Sequence, residues 1–279
     1  MKIFDCITFF DEHKLFDVRY ELLKNDVDYF IIIEGSKKFN GESKDFCFNE
    51  NKYDKKKIRY IKINEFNKKV NLANFPGYLD DVSKNRMLDG LYGATYNDII
   101  LFSDCDEIPH PQTIKKIKKI KNSKIGICYQ NMSCLDFKHF VKTNWFWLYK
   151  WPGTKFMKYQ NLIHPKSLKW YHQPRLYDPR NYLKYNIILD KGFHFTWIGN
   201  FEKIIEKYVT FKNVHDQEHL FRQRNSKKFS YDEIINSLNK SKNLEKFTLP
   251  FLRYEIQKKD PTNTYDNLFL EVLKKNNLI

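Results

Sequence analysis

The stretch Asn97–His110, with the sequence NDIILFSDCDEIPH, decides the fold of this 279-residue chain. Its apolar run Ile99–Phe102 is short, continuous and bounded by polar residues, which predicts a strand buried on both faces of a sheet. Three carboxylates, Asp104, Asp106 and Glu107, follow closely, and Pro109 prevents simple continuation of the strand. The segment therefore predicts a core strand that ends in an acidic turn, residues 104–107.

Asp104 and Asp106 lie two residues apart in this turn. Side chains alternate along an extended backbone, so both carboxylates are expected on one side and Cys105 on the other. Neighbouring carboxylates repel each other unless they share a cation or a proton, and hard oxygen ligands suit Mg²⁺ or Mn²⁺. The pattern favours a divalent-metal site, and a solvated acidic loop without a role is the alternative.

The composition narrows the possible partners only slightly. Lys and Arg number 49 against 34 Asp and Glu, giving a net charge of +15 that favours nucleotides, nucleic acid or anionic membrane surfaces without choosing among them. With 24 Phe and 18 Tyr, the chain has the aromatic content of a folded protein with a substantial core.

Cysteine usage and hydropathy indicate the cellular location. The five cysteines include no CxxC pair, so neither a disulfide framework nor a zinc finger is indicated. The first residues lack the features of a signal peptide, and no apolar run reaches the ~18 residues that a membrane-spanning helix needs. We therefore expect a cytoplasmic protein with no transmembrane segment.

Strand-like and helix-like segments alternate through the first hundred residues. Strands are predicted at Lys2–Phe9, Asp28–Glu34 and Ile58–Ile63, and helices at Glu12–Asn25 and Asp80–Tyr96. This alternation predicts an α/β fold with a mixed, mostly parallel sheet flanked by helices. Ligands of such sheets bind beyond the carboxyl ends of the strands, where Glu34 and the acidic turn would border one cleft.

The second half of the chain is less regular. A helix is predicted at Thr113–Lys121, with strands at Ile125–Ser133 and Phe137–Val141. The last part, from Phe201, has mainly helical periodicity. We expect residues 1–220 to form the main domain and residues 221–279 a helical C-terminal extension packed on that same domain.

Five separated elements together carry a family resemblance. They are the opening IFDCITFFDEHKLFDVRYELLKNDVDYFIIIEGSKKFNGESK, then KNRMLDGL, DIILFSDCDEIP, WPGT and GFHFTWIG. Their order resembles glycosyltransferase family 17, which includes the enzymes that add bisecting N-acetylglucosamine to the core mannose of N-glycans. The resemblance implies a Rossmann-like fold of GT-A type, a UDP-sugar donor, in particular UDP-N-acetylglucosamine, a glycan or other hydroxyl acceptor, and inversion at the anomeric carbon.

The resemblance also implies roles for residues in the acidic turn. Asp106 is the first candidate for direct ligation of Mn²⁺ or Mg²⁺, which would stabilise the diphosphate leaving group. Asp104 would reach the ribose, the metal or a metal-bound water, and Glu107 would support the metal ligands or face the acceptor. His194, in GFHFTW, would complete the metal shell, and a hydrogen-bonded core histidine is the alternative.

Donor contacts are expected at the ends of the first two strands. Thr8 and Phe9 follow the first strand, and Glu34 ends the second and would accept hydrogen bonds from ribose or uracil. Arg86 is a candidate clamp for the diphosphate because guanidinium pairs bidentately with phosphate, although a surface salt bridge is equally compatible with its position. Lys44 is a second candidate for the same role.

An inverting transfer needs one general base that accepts the proton of the acceptor hydroxyl. Glu218, in VHDQEHL, resembles part of a family His-x-x-Glu pattern. Several other carboxylates remain open as candidates: Glu107, Asp136, Asp178 and Asp216.

Two other functional classes compete with this interpretation. A metal-dependent phosphatase or phosphotransferase also uses an acidic strand end, but the haloacid dehalogenase type carries D-x-D-x-[TV] near the start of the chain. A non-catalytic nucleic-acid binder would explain the basic charge, but the sequence has neither an RNP-like motif nor a Cys/His zinc pattern. We therefore expect no specific nucleic-acid partner.

Overall fold

A computed structural model describes most of the chain outside the region from 200 to 255. The described residues are 1–38, 41–66, 78–122, 124–141, 150–162, 183–196, 198–199 and 256–279.

Among these residues, ten strands form one mixed sheet. They are β1 (Ile3–Thr8), β2 (Tyr29–Gly35), β3 (Ile58–Ile63), β4 (Ile99–Asp104), β5 (Glu107–Ile108), β6 (Gly126–Cys134), β7 (His139–Val141), β8 (Trp151–Lys158), β9 (Asn186–Thr196) and β10 (Ile256–Lys258). The three strands predicted in the first hundred residues and the strand predicted at Ile99–Phe102 are confirmed, with at most small shifts of their ends.

The first four strands are parallel, in the order β3-β2-β1-β4. β8 continues the sheet antiparallel to β4, and β6, β7 and β10 follow beyond it. β9 runs parallel to β6 and antiparallel to β5. The predicted mixed sheet is confirmed, and its parallel part is the half that carries the acidic turn at a carboxyl end.

Both faces of β1, β2 and β4 are buried, as expected for the inner strands of a parallel sheet, whereas the edge strand β3 is only partly buried. Ile3 and Ile7 point into one core with Phe16, whereas Phe4 and Met87 belong to the core on the opposite face. In the part of the chain that the structure describes, the helices that flank the sheet are α1 (His13–Leu23), α2 (Tyr78–Asn85), α3 (Pro111–Ile117) and α4 (Asn267–Lys275). In the described part of the chain, no helix has the length and hydropathy required to cross a membrane.

The helix predicted at Asp80–Tyr96 is shorter than expected. α2 ends at Asn85, and the chain continues as a 3₁₀-helix over Arg86–Leu91. In this tighter turn Gly90 packs against β2, where a Cβ atom would lie 2.2 Å from a methyl carbon of Ile31. The chain thus packs closely against the sheet in this segment and does not continue as an α-helix to Tyr96.

The C-terminal extension is helical only in part of its described portion. β10 adds an edge strand antiparallel to β7 before α4 begins. α4 is capped by the Asp266 side chain, packs Phe269 into the core, and pairs Lys275 with Glu21 of α1 at 2.7 Å. α4 therefore packs against the core that also contains residues of the parallel strands. Residues 221–255 lie outside the described residues.

Candidate active site

The acidic turn lies at the carboxyl edge of the parallel strands. β4 ends at Asp104, which is in register with Thr8 at the end of β1. The Thr8 hydroxyl donates to Asp104 Oδ1 at 3.5 Å. The Asp104 side chain is 37% exposed and that of Asp106 is 13% exposed, whereas Cys105 is buried in the core. Both aspartates thus have access to solvent at the strand end, while the cysteine does not.

A buried arginine lies beneath the turn. Arg19 of α1 is fully buried and binds Asp5 of β1 bidentately, with N–O distances of 2.7 and 2.6 Å. It also donates to Ser103 Oγ at 2.6 Å. Burial alone would lower the pKa of Arg19, but the Asp5 carboxylate raises it on balance, so the guanidinium stays charged.

The same guanidinium holds the backbone of the turn. One terminal nitrogen of Arg19 donates to the carbonyl oxygens of Asp104 at 3.3 Å, Cys105 at 3.5 Å and Glu107 at 2.9 Å. A turn whose carbonyls face inward needs a buried donor, and the planar fork of an arginine supplies several in one place. Arg19 therefore determines the path of the backbone between the two aspartates.

His194 lies opposite Asp106. β5 pairs with β9 so that Glu107 is in register with His194, and the Phe195 amide donates to the Asp106 carbonyl at 2.8 Å. His194 Nε2 is 3.7 Å from Asp106 Oδ2. The short antiparallel pairing thus places together two residues that are far apart in the sequence.

Trp151 and Glu107 fix the orientation of the histidine. The indole of Trp151 stacks on the His194 ring with the centroids 4.6 Å apart and 27° between the planes, and its Nε1 donates to Glu107 Oε1 at 2.6 Å. The other Glu107 oxygen accepts from the Asp104 amide at 3.1 Å. Burial, followed by the charge of Asp104, raises the pKa of Glu107. Glu107 thus contacts both the indole and the turn backbone.

A buried lysine contacts the other aspartate. Lys84, at the end of α2, is 1% exposed, and its ammonium lies 2.5 Å from Asp80 Oδ1 and 3.4 Å from Asp104 Oδ1. Arg86, the predicted diphosphate clamp, is 52% exposed and pairs with Asp89 within its own helical turn. The structure therefore places Lys84, rather than Arg86, at the acidic turn.

Glu34 and Lys44, both predicted to contact the donor, bind each other. Glu34 is fully buried at the end of β2, and its carboxylate accepts from the Lys44 ammonium, the Tyr60 hydroxyl and the amides of Cys47 and Phe48. Burial raises the pKa of Glu34, but these hydrogen bonds outweigh it and lower the pKa on balance. Both oxygens are occupied by the chain's own donors, so Glu34 anchors the 44–48 segment.

Thr8 and Phe9, also predicted to contact the donor, differ in placement. Thr8 is partly exposed beside Asp104. Phe9 is buried in the core, packs edge-on against Phe48, and its amide donates to the Ile33 carbonyl at 2.8 Å. Of these two residues, only Thr8 presents a polar side chain at the acidic turn.

Glu34→Gln should lower the free energy of unfolding by about 3 kcal/mol at pH 7, because it breaks a buried ion pair. Since folding lowers the pKa of Glu34, its stabilisation is present above the unfolded-state pKa and is lost as the pH falls through the folded-state pKa. The difference between wild type and variant should therefore shrink below about pH 4 in urea unfolding measured over a pH series.

The matched control for this prediction is Glu42→Gln. The Glu42 carboxylate is 62% exposed and forms an ion pair with Lys38. The substitution should change stability by less than about 1 kcal/mol. Equal stability of wild type and Glu34→Gln at pH 7 would contradict the anchoring role.

Comparison with known proteins identifies the family. The sequence model of glycosyltransferase family 17 matches residues 1–259. The chain belongs to glycosyltransferase family 17. The resemblance found in the five sequence elements is thereby confirmed. No curated protein matched the sequence of this family 17 glycosyltransferase.

Several solved structures resemble this family 17 glycosyltransferase. A glycosyltransferase involved in glycosylation of the major capsid of PBCV-1 is 14% identical, with 68% of this chain and 82% of that chain covered and a TM-score of 0.29. An active-site mutant of LgtC is 11% identical, with 99% and 96% covered and a TM-score of 0.32. The 2-C-methyl-D-erythritol 4-phosphate cytidylyltransferase of Francisella tularensis is 9% identical, with 75% and 100% covered and a TM-score of 0.37.

The predicted metal ligands of this family 17 protein are only partly brought together. Asp106 and His194 face each other, while Asp104 pairs with Lys84. Within the described ranges, no three His, Cys, Asp or Glu side chains are arranged to hold a metal ion by themselves. A carboxylate and an imidazole nevertheless fit a site of the kind in which substrate phosphates complete the coordination. Glu218, the predicted base, lies outside the described residues.

Proposed function

We propose that this family 17 glycosyltransferase is a metal-dependent inverting enzyme that transfers a sugar, N-acetylglucosamine by family resemblance, from a UDP-sugar to an acceptor hydroxyl. The observation that carries the proposal is the pair of Asp106 and His194, 3.7 Å apart at the carboxyl edge of the parallel strands. This is the edge at which open α/β sheets bind nucleotides.

Asp106 and His194 would hold Mn²⁺ or Mg²⁺ in this proposal. When bound, the ion would neutralise the charge that develops on the diphosphate as the sugar departs. Two protein ligands suffice where phosphate oxygens supply the rest. Trp151 stacks on His194 and orients its ring toward Asp106, and Glu107 fixes the indole by accepting from its N–H.

Asp104 and Thr8 would contact the donor beside the metal. Both lie at the open strand ends, and the Asp104 carboxylate can accept a hydrogen bond from a ribose hydroxyl or from a metal-bound water. Asp104 is oriented through its backbone amide, which donates to Glu107. We therefore assign Asp104 to donor recognition rather than to primary ligation.

Glu107 is better suited to positioning than to proton transfer. Its two oxygens accept from Trp151 and from the Asp104 amide, so an acceptor hydroxyl would have to displace one of these bonds. The general base is then a carboxylate from another segment, and Glu218 remains the candidate predicted from the sequence.

The proposal is tested with a panel of sugar nucleotides in Mn²⁺, Mg²⁺ or EDTA, read out by thermal shift and by nucleotide release. UDP with Mn²⁺ at about 100 times its Kd should stabilise the fold by about 2.7 kcal/mol, a rise in Tm of roughly 5 °C, and EDTA should remove this gain. UDP should be released from UDP-N-acetylglucosamine in the presence of an acceptor.

Two outcomes would contradict the proposal. Equal stabilisation by UDP with and without metal would exclude the metal-dependent mechanism. Release of phosphate from a simple monoester, without UDP release from any sugar nucleotide, would favour the phosphatase alternative.

A further inference from the structure

Lys84 occupies an unusual position for a lysine. It is 1% exposed, and its ammonium lies between Asp80 Oδ1 at 2.5 Å and Asp104 Oδ1 at 3.4 Å. Desolvation of an ammonium is expensive, and lysine is almost never fully buried unless it is paired. The two carboxylates compensate the charge, and they are themselves 17% and 37% exposed, so the cluster reaches solvent on its acidic side.

Helix stability does not account for this burial. An Asp–Lys pair four residues apart stabilises an exposed helix only slightly, and it does so without desolvation. The contact that burial adds is the one to Asp104, at the open end of β4 and twenty positions further along the chain. Lys84 therefore serves the acidic turn.

We propose that Lys84 is an internal cation that neutralises Asp104 in the free enzyme and binds the diphosphate of the donor when it enters. The inference rests on the proposed function, since it concerns the same site. In the free enzyme a divalent metal at Asp106 would lie near an ammonium already bound to the neighbouring aspartate. Like charges repel strongly in a partly buried site, so the metal binds weakly alone.

Binding of the diphosphate offsets this repulsion between the metal ion and the ammonium. It carries negative charge that compensates the metal and the ammonium together, and a lysine is an effective point charge for phosphate. The site then binds metal and nucleotide as a unit, and the donor determines when the ion is retained. Arg86 does not supply this function, because it pairs with Asp89 on the surface.

The test is to measure Mn²⁺ binding alone, and UDP binding with Mn²⁺, by titration calorimetry in wild type and Lys84→Met. Methionine has a similar length and no charge, and both carboxylates left behind are partly exposed to water. We expect Lys84→Met to bind Mn²⁺ alone about tenfold more tightly than wild type. It should bind UDP with Mn²⁺ about tenfold more weakly.

Two variants control for charge and for fold. Lys84→Arg keeps the positive charge and should retain weak binding of Mn²⁺ alone. Lys52→Met removes a lysine that is 55% exposed and paired with Asp17 of α1, and it should leave both affinities unchanged. Because Lys84→Met can fail to fold, Asp80→Asn gives an independent test: with one carboxylate fewer, Lys84 is less compensated and UDP with Mn²⁺ should bind several-fold more tightly.

The outcomes separate this inference from the proposed function. If wild type does not bind UDP in a metal-dependent manner, the proposed function fails. If wild type binds UDP with Mn²⁺ but Lys84→Met shows unchanged affinities for Mn²⁺ and for UDP, only the role of Lys84 is overturned. Where Lys84→Met does not fold, an unchanged UDP affinity in Asp80→Asn overturns it as well.

Discussion

Asp106→Ala should lower the rate of UDP release from the sugar donor about a thousandfold, equivalent to about 4 kcal/mol of transition-state stabilisation. The variant removes the carboxylate that faces His194 and, in the proposed mechanism, the main ligand of the ion that neutralises the diphosphate. The thermal stabilisation by UDP with Mn²⁺ should be lost as well. Both effects are measured at saturating donor and metal.

Cys105→Ala is the matched control, because it lies in the same turn but directs its side chain into the core. It should retain most of the activity, with a small loss of stability from the buried thiol. Activity of Asp106→Ala within tenfold of wild type would contradict a metal-ligand role.

His194→Ala provides a second check on the same site. If Asp106 and His194 hold one ion, the double variant should be scarcely less active than Asp106→Ala alone, because effects of residues that act as a unit are not additive. Independent effects that add on a free-energy scale would indicate that the histidine only packs beneath Trp151.

The position of the acidic turn was predictable because its signals are local. An apolar run such as Ile99–Phe102 that ends in carboxylates indicates a buried strand and its open end. Family resemblance in a short segment makes His194 a candidate metal ligand. The pairing that brings it to Asp106 depends on the register of β5 against β9, which joins residues far apart in the sequence.

The sequence did not predict the roles of Trp151 and Arg19, because each contacts a partner that is distant in the sequence. Trp151 contacts a glutamate 44 positions away, and Arg19 contacts a carbonyl 88 positions away. One signal was nevertheless present: Arg19 falls within the apolar positions of α1, and Asp5 falls within the apolar strand β1. Opposite charges inside two buried elements indicate a buried ion pair.

Glu34 shows that a residue's position at a strand end does not by itself reveal what its side chain binds. A carboxylate at the end of a parallel strand was a reasonable ligand for ribose, but Lys44, Tyr60 and two backbone amides occupy both of its oxygens. Strand-end position locates a residue near the site. Whether that residue can bind a ligand depends on whether other groups of the fold already occupy its hydrogen-bonding atoms, and the sequence does not reveal this.

Arg19→Met should lower the free energy of unfolding by about 3–5 kcal/mol, because it leaves the buried Asp5 carboxylate without its partner. This is a large fraction of the stability of a typical domain. Activity should fall by more than the loss of folded protein explains, because the carbonyls of Asp104, Cys105 and Glu107 lose their common donor. Urea unfolding measures the first effect, and turnover at a temperature where the variant is folded measures the second.

The double variant Asp5→Leu/Arg19→Met separates the two roles of the arginine. Replacing both members of a buried ion pair by apolar residues commonly restores stability, so much of the lost free energy of unfolding should return. The backbone of the turn still lacks its donor, so activity should stay low even though the protein is stable. If the double variant regained wild-type activity, Arg19 would serve only to neutralise Asp5, and the geometry of the acidic turn would be held by Glu107 and the β5–β9 pairing alone.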